Sequence, residues 1–127
     1  MFANFVNQNA AALKAVAPGA ASHVVPEQFQ GAPFLAGSSF NDFFRWSAPG
    51  IIDPEARFHA SVITCSGCHG PDTNTNFQMI FPRFPGNESR LSPFLTGTDV
   101  FDPFTGQNRP LNELARRRDS MTAVLCQ

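Results

Sequence analysis

The sequence predicts a mostly α-helical, loop-rich single domain with about three helices. Three observations carry this reading. Apolar residues recur at helical spacing near residues 3–16, 54–68 and 111–125. The 127 residues suit one compact domain, so 1–127 is read as a single unit. Eleven Pro and nine Gly fall mostly between the helical segments and mark long connections. Fourteen Phe, one Trp and no Tyr point to a core of rings, and so many large apolar side chains argue against disorder.

The first helix rests on Phe2, Phe5, Val6, Ala10 and Leu13, and Pro18-Gly19 stops it. Residues 17–50 read as an irregular wrap with one helical turn around "FNDFFRW". Phe34, Leu35, Phe40, Phe43, Phe44 and Trp46 give it an apolar side, read first as core and alternatively as the lining of a flat apolar cofactor. The second helix is capped by Asp53, with Pro54 at its first position and Glu55 at the positive end of its dipole. Its pattern runs through Ala56, Phe58, His59, Val62 and Ile63 into Cys65. Residues 71–110 read as irregular, with a short helical turn ending near Gly97. The third helix takes its cap from Asn112 or Asn108 and is expected to bury Leu111, Leu114, Met121, Val124 and Leu125.

A net charge of -1 gives no basic footprint for nucleic acid. No apolar run approaches the ~18 residues of a membrane span. The first twenty residues lack a basic start and are interrupted by Asn and Gln, so they do not read as a signal peptide. The chain is read as a mature form or as a piece of a longer exported protein.

One stretch concentrates the chemistry. "TCSGCHG", residues 64–70, holds two of the three cysteines, three residues apart, with a histidine directly after. Two intervening residues place both sulfurs against neighbouring pyrrole rings of a haem, for two thioether bonds, and the next residue aims its imidazole at the iron. Here the chain resembles a c-type cytochrome. The resemblance implies a cytochrome c-like domain with covalent haem c on Cys65 and Cys68 and with His69 as the proximal iron ligand. A second resemblance covers most of the chain. "VPEQFQGAPFLAGSSF", "TCSGCHG", "FPRFPGNESRLSPFLTG" and "LNELARRR" resemble a C-terminal domain of secreted bacterial proteins of uncharacterised role. In that domain a His often stands where Met79 stands here. His and Met are the two usual distal ligands of such haems, so the exchange implies an iron-binding role for position 79.

Met79 therefore stands first for the sixth position, ten residues after His69. Met121 and His23 are the alternatives, followed by an open or water-bound site. His59 precedes Cys65 by about one and a half helical turns and is poorly placed for the opposite face. Arg83 is the first candidate to pair with a haem propionate, because guanidinium matches a carboxylate in bidentate fashion. Arg57 and Arg45 follow it. Cys126 is read as a buried thiol or as one that pairs outside this chain. Asn87-Glu88-Ser89 matches a glycosylation sequon and is read as chance.

The expected function is one-electron transfer by a single haem, with a redox partner protein or an adjacent domain of the parent protein. An open sixth position would instead allow gas binding or peroxidase chemistry. Covalent haem attachment implies a periplasmic or extracellular location. Two alternatives carry no haem. One is a zinc module using Cys65, Cys68 and His69 with Cys126 or His59, although adjacent Cys68 and His69 diverge. The other is a disulfide-stabilised extracellular domain. No βαβ pattern supports a thioredoxin-like Cys-x-x-Cys, and no Ser/His/acid pattern supports a hydrolase.

Overall fold

Asn9 divides the first predicted helix in two. Its side-chain amide donates to the Phe5 carbonyl at 2.9 Å and competes with the helical ladder. The result is α1 (Phe2–Gln8) and α2 (Ala10–Lys14). The computed structural model describes residues 1–15, 25–34 and 44–126. Of these, 42% are helical and 15% are strand, so the fold is mostly α with long irregular connections.

Phe5, Val6 and Leu13 from α1 and α2 pack with Phe34 against Ala56 and Ala60 of α3 (Pro54–Val62). The small Ala side chains let the rings approach α3 closely. Phe5 and Phe34 lie 4.8 Å apart, Phe2 and Phe34 4.9 Å, and Phe29 meets Phe5 edge-on at 5.5 Å. Each buried Phe stabilises the fold by about 1.5–3 kcal/mol, and each ring pair adds about 0.5–1.5 kcal/mol. Phe34 and Trp46 are thus core residues, whereas Phe44 is exposed. Leu35, Phe40 and Phe43 lie outside the described residues. Phe34 follows a hairpin of β1 (Gln28–Phe29) and β2 (Ala32–Pro33). Its two turn residues, Gln30 and Gly31, both take positive φ, the form that matches strand twist.

Asp53 caps α3 as expected, accepting from the Glu55 and Ala56 amides at 2.9 and 3.0 Å. It also pairs with Lys14 at 2.5 Å, tying the end of α2 to the start of α3. The predicted helix over 54–68 is not continuous. Val62, Ile63 and Thr64 are β-branched, and Thr64 adopts an extended backbone. Its hydroxyl donates to the Ser61 carbonyl at 2.8 Å and accepts from the Gly67 amide at 3.2 Å. A new helix, α4 (Cys65–Cys68), starts from that cap.

A 3₁₀ turn (Pro71–Thr73) follows. Residues 79–81 and 90–92 then form a short ribbon, with Ser92 N–H donating to the Met79 carbonyl and Phe81 N–H to the Arg90 carbonyl, both at 2.8 Å. After α5 (Pro93–Thr96) comes an antiparallel hairpin of β3 (Thr98–Asp102) and β4 (Gln107–Leu111). This hairpin replaces part of the stretch expected to be irregular. Pro110 reads as a strand breaker, but a two-stranded ribbon has edges on which the missing N–H costs nothing.

A buried charge lattice joins α3, the 3₁₀ turn and the hairpin. Arg57 donates to Asp72 at 2.7 Å, to Asp102 at 3.2 Å and to the Trp46 carbonyl at 2.9 Å. Arg109 of β4 makes a two-pronged pair with Glu55 at 2.7 and 2.5 Å and reaches Asp102 at 3.3 Å. Phe104 and Phe58 cover the Arg57 and Arg109 guanidinium groups at 4.4 and 4.5 Å.

The last helix, α6 (Glu113–Leu125), is capped by Asn112, whose oxygen accepts from the Ala115 amide at 3.0 Å. The Asn112 amide donates to the Thr96 carbonyl at 3.0 Å, and α6 packs against α5. The expected buried stripe is not buried. Leu114, Met121, Val124 and Leu125 are exposed, because no element among the described residues covers that face. Among the described residues no helix is long and apolar enough to cross a membrane.

Candidate functional site

The Cys-Ser-Gly-Cys-His segment is rigidly seated. The Cys68 amide donates to the Thr64 carbonyl and the His69 amide to the Cys65 carbonyl, both at 2.9 Å. Thr73 holds the exit, its hydroxyl donating to the Cys68 carbonyl at 2.7 Å. Gly67 faces the end of α3. A Cβ there would lie 2.2 Å from the Ser61 carbonyl oxygen, so no other residue fits without moving backbone. Asp72 anchors the turn just beyond, accepting from the Trp46 amide and from Arg57 at 2.7 Å each.

Cys65 and Cys68 are free thiols, both half-buried. Burial pushes the Cys68 thiol up to about 11, and the nearby Glu113 carboxylate adds to the rise. At neutral pH Cys68 is therefore a protonated thiol and not the activated nucleophile of thiol–disulfide exchange.

His69 sits at the C-terminal cap of α4 with Nδ1 2.5 Å from the Phe77 carbonyl oxygen. A carbonyl only accepts, so Nδ1 carries a proton, and in the neutral ring it is Nε2 that holds the lone pair. That is the arrangement of a metal-binding histidine, whose second nitrogen donates to a fixed acceptor. Phe77 achieves it at a cost. Its φ is +63°, and the Gln78 amide closes on the Asn76 carbonyl at 2.7 Å in the positive-φ form of a γ-turn. Such turns are rare and strained, and they cluster at functional positions. The Phe77 ring also rests on the imidazole, with centroids 5.3 Å apart.

The other predicted residues are dispersed. Met79 is half-buried, two residues past Phe77 on the ribbon. Arg83 is exposed and donates to the Asn87 carbonyl at 2.6 Å within its own loop. Among the described residues, Arg83 and Arg90 are the two arginines without a carboxylate partner. Arg57 is committed to the buried lattice and does not face outward as a propionate partner would. Arg45 donates to the Phe101 carbonyl at 2.7 Å and lies 3.9 Å from Asp72. His59 pairs with Glu55 at 3.2 Å. Met121 is exposed on α6, and His23 lies outside the described residues. Cys126 is an exposed free thiol at the end of α6, which corrects the reading of it as buried. Among the described residues no three His, Cys, Asp or Glu side chains converge as a metal site, so the zinc donor set is not assembled.

Two free thiols three residues apart and an imidazole with its Nδ1 side held fit the donor set that a c-type haem needs, two thioether sulfurs and one imidazole nitrogen. No protein-family model matches the chain, and no curated protein or solved structure matches it either. The residues that support the site were less visible in the sequence than those that form it. Thr64 had a detectable signal as a cap residue just before Cys65. Phe77 acts through its backbone carbonyl, which no side-chain pattern announces.

Proposed function

We propose that the chain is a monohaem c-type cytochrome domain that passes single electrons, with haem held by Cys65 and Cys68 and with His69 as the proximal ligand. The observation that carries this reading is the fixed tautomer of His69 beside two free thiols. Bound haem supplies a reversible one-electron couple at iron. The chain supplies the rest. The Phe77 carbonyl orients the imidazole and raises its basicity. Thr64, Gly67 and Thr73 hold the motif helix so that the thiols keep their spacing. Arg83, free of carboxylate partners, is the candidate to meet a propionate. Covalent attachment places the working protein outside the cytoplasm, periplasmic or extracellular, with a redox partner protein or a neighbouring domain as its electron source.

The test is a pyridine haemochrome spectrum of chain expressed in a host that matures haem c. A double-thioether α band retained after acid-acetone extraction, and lost in Cys65→Ala with Cys68→Ala, is expected. A colourless product from that host rules out the reading.

A further inference from the structure

We propose that the ribbon over residues 77–91 is the docking surface for a protein partner whose contact face is an apolar hollow bordered by carboxylates. The proposal takes the partner's redox role from the haem reading above, and the contact itself rests on the surface alone. Ile80 and Leu91 stand opposite each other, flanked by the Phe81–Arg90 and Ser92–Met79 hydrogen bonds, so both side chains leave the ribbon on one side. That side is the outer one: alternation turns Ser92 inward, where it is buried, and leaves Ile80 and Leu91 exposed. Phe84 stands 81% exposed at the tip. The tip is held. The Asn87 amide donates to the Phe84 carbonyl at 3.1 Å across Pro85 and Gly86, and Gly86 has a φ of +88°, the pattern of a type II turn. Arg83 closes the same loop by donating to the Asn87 carbonyl at 2.6 Å. Folding gains nothing from a Phe ring held in water, whereas a fixed ring lowers the ordering cost of binding, and aromatic anchors of this kind centre protein interfaces. The other end of the ribbon reaches the motif, because the exposed Phe77 holds His69 through its carbonyl and rests its ring on the imidazole.

Charge selects the partner. Arg83 and Arg90 have no carboxylate partner among the described residues, whereas each other Lys and Arg has one within 3.9 Å. Glu88 lies between them in sequence and is exposed. Two arginines with an intervening carboxylate fall short of the about 4–8 basic residues that hold a segment to an anionic membrane. They also lack the basic stripe of a nucleic-acid face. They suit a protein, whose carboxylates pair with single guanidinium groups around an apolar centre.

The test titrates the full chain, haem-free and haem-loaded, with two labelled amphipathic peptides, one with a Leu face bordered by Glu and the other with Lys in place of Glu. Fluorescence anisotropy should show the Glu peptide binding at least about tenfold more tightly, with amide shifts confined to residues 77–91. Phe84→Ser and Arg90→Glu, both at exposed side chains, should keep the wild-type Tm and weaken the Glu peptide by about tenfold or more. Arg90→Glu should also reverse the preference toward the Lys peptide, and Arg90→Gln should fall between. Equal binding of the two peptides, shifts centred elsewhere, or an unchanged affinity in Phe84→Ser overturns the proposal. So does binding of Phe84-dependent chain to phosphatidylserine vesicles or to a single-stranded oligonucleotide in preference to the Glu peptide. A chain that binds as expected but takes no haem keeps the docking surface and loses the cytochrome reading; a chain that takes haem and shows no preference loses the surface alone.

Discussion

Replacing Arg57 with Met tests the buried lattice that seats the motif. Arg57 is 2% exposed, and its partners Asp72 and Asp102 are both 0% exposed. In Arg57→Met, Asp72 retains the Trp46 amide at 2.7 Å and Arg45 at 3.9 Å, and no close countercharge. Asp102 fares better, keeping Arg109 at 3.3 Å, Thr105 and the Phe104 amide. An intact buried pair is worth little over an apolar isostere, but removing one partner strands a charge and costs about 3–5 kcal/mol. A domain of this size has about 5–15 kcal/mol in total, so the variant should lose a large share of its stability. The midpoint of urea unfolding at pH 7 should fall with unchanged slope. At roughly 4 °C per kcal/mol, Tm should drop by about 12–20 °C. Arg57→Met combined with Asp72→Leu should be more stable than Arg57→Met alone, because the stranded carboxylate is gone. A loss below about 1 kcal/mol for Arg57→Met, or simple additivity in the double variant, would refute the reasoning.

Acid should weaken the same lattice. Arg109 holds the Glu55 carboxyl below its ordinary value of 4.5. Burial opposes ionisation of Asp102, but the Phe104 amide, Thr105, Arg57 and Arg109 outweigh it and hold that carboxyl below 3.8. Groups lowered in the folded state stabilise it fully above their unfolded values and lose that contribution as pH falls through the folded ones. Urea midpoints should therefore change little through these groups from neutral pH down to about 5 and decline below about 4.5, a trend that a pH series of unfolding curves would measure. In haem-free chain, iodoacetamide at pH 8 should modify exposed Cys126 first. Cys68, with its thiol near 11, should react roughly a hundredfold slower than an exposed ordinary thiol, followed by peptide mass mapping.

Features confined to a few neighbouring residues were legible in the sequence. Asp53-Pro54-Glu55 marks the start of α3, and Asn112 marks the start of α6. The motif is legible for the same reason, since its five residues are contiguous. Breaks inside helices were harder. Asn9 and Thr64 interrupt apolar patterns that continue across them, because one side-chain hydrogen bond redirects the backbone without altering periodicity. The β3–β4 hairpin was hidden by Pro103 and Pro110, which read as punctuation. The lattice was invisible because Arg57, Asp72 and Asp102 are far apart in the chain and each alone looks like a solvated charge. The stripe on α6 shows the reverse error. Its spacing predicts a face that something covers, and the stripe meets no covering element among the described residues.

The contact of Gly67 with Ser61 also bears on how this motif can diversify. Of the two positions between the cysteines, residue 66 faces no such restriction, whereas residue 67 has no room for even one carbon beyond the backbone. Chains that keep the break between α3 and α4 should therefore carry Cys-x-Gly-Cys-His and not the general Cys-x-x-Cys-His. The five-residue signature becomes a marker of this particular backbone as well as of its chemistry. Random mutagenesis across residues 65–69, selected for folded protein alone, should leave position 67 as invariant as any position selected for function.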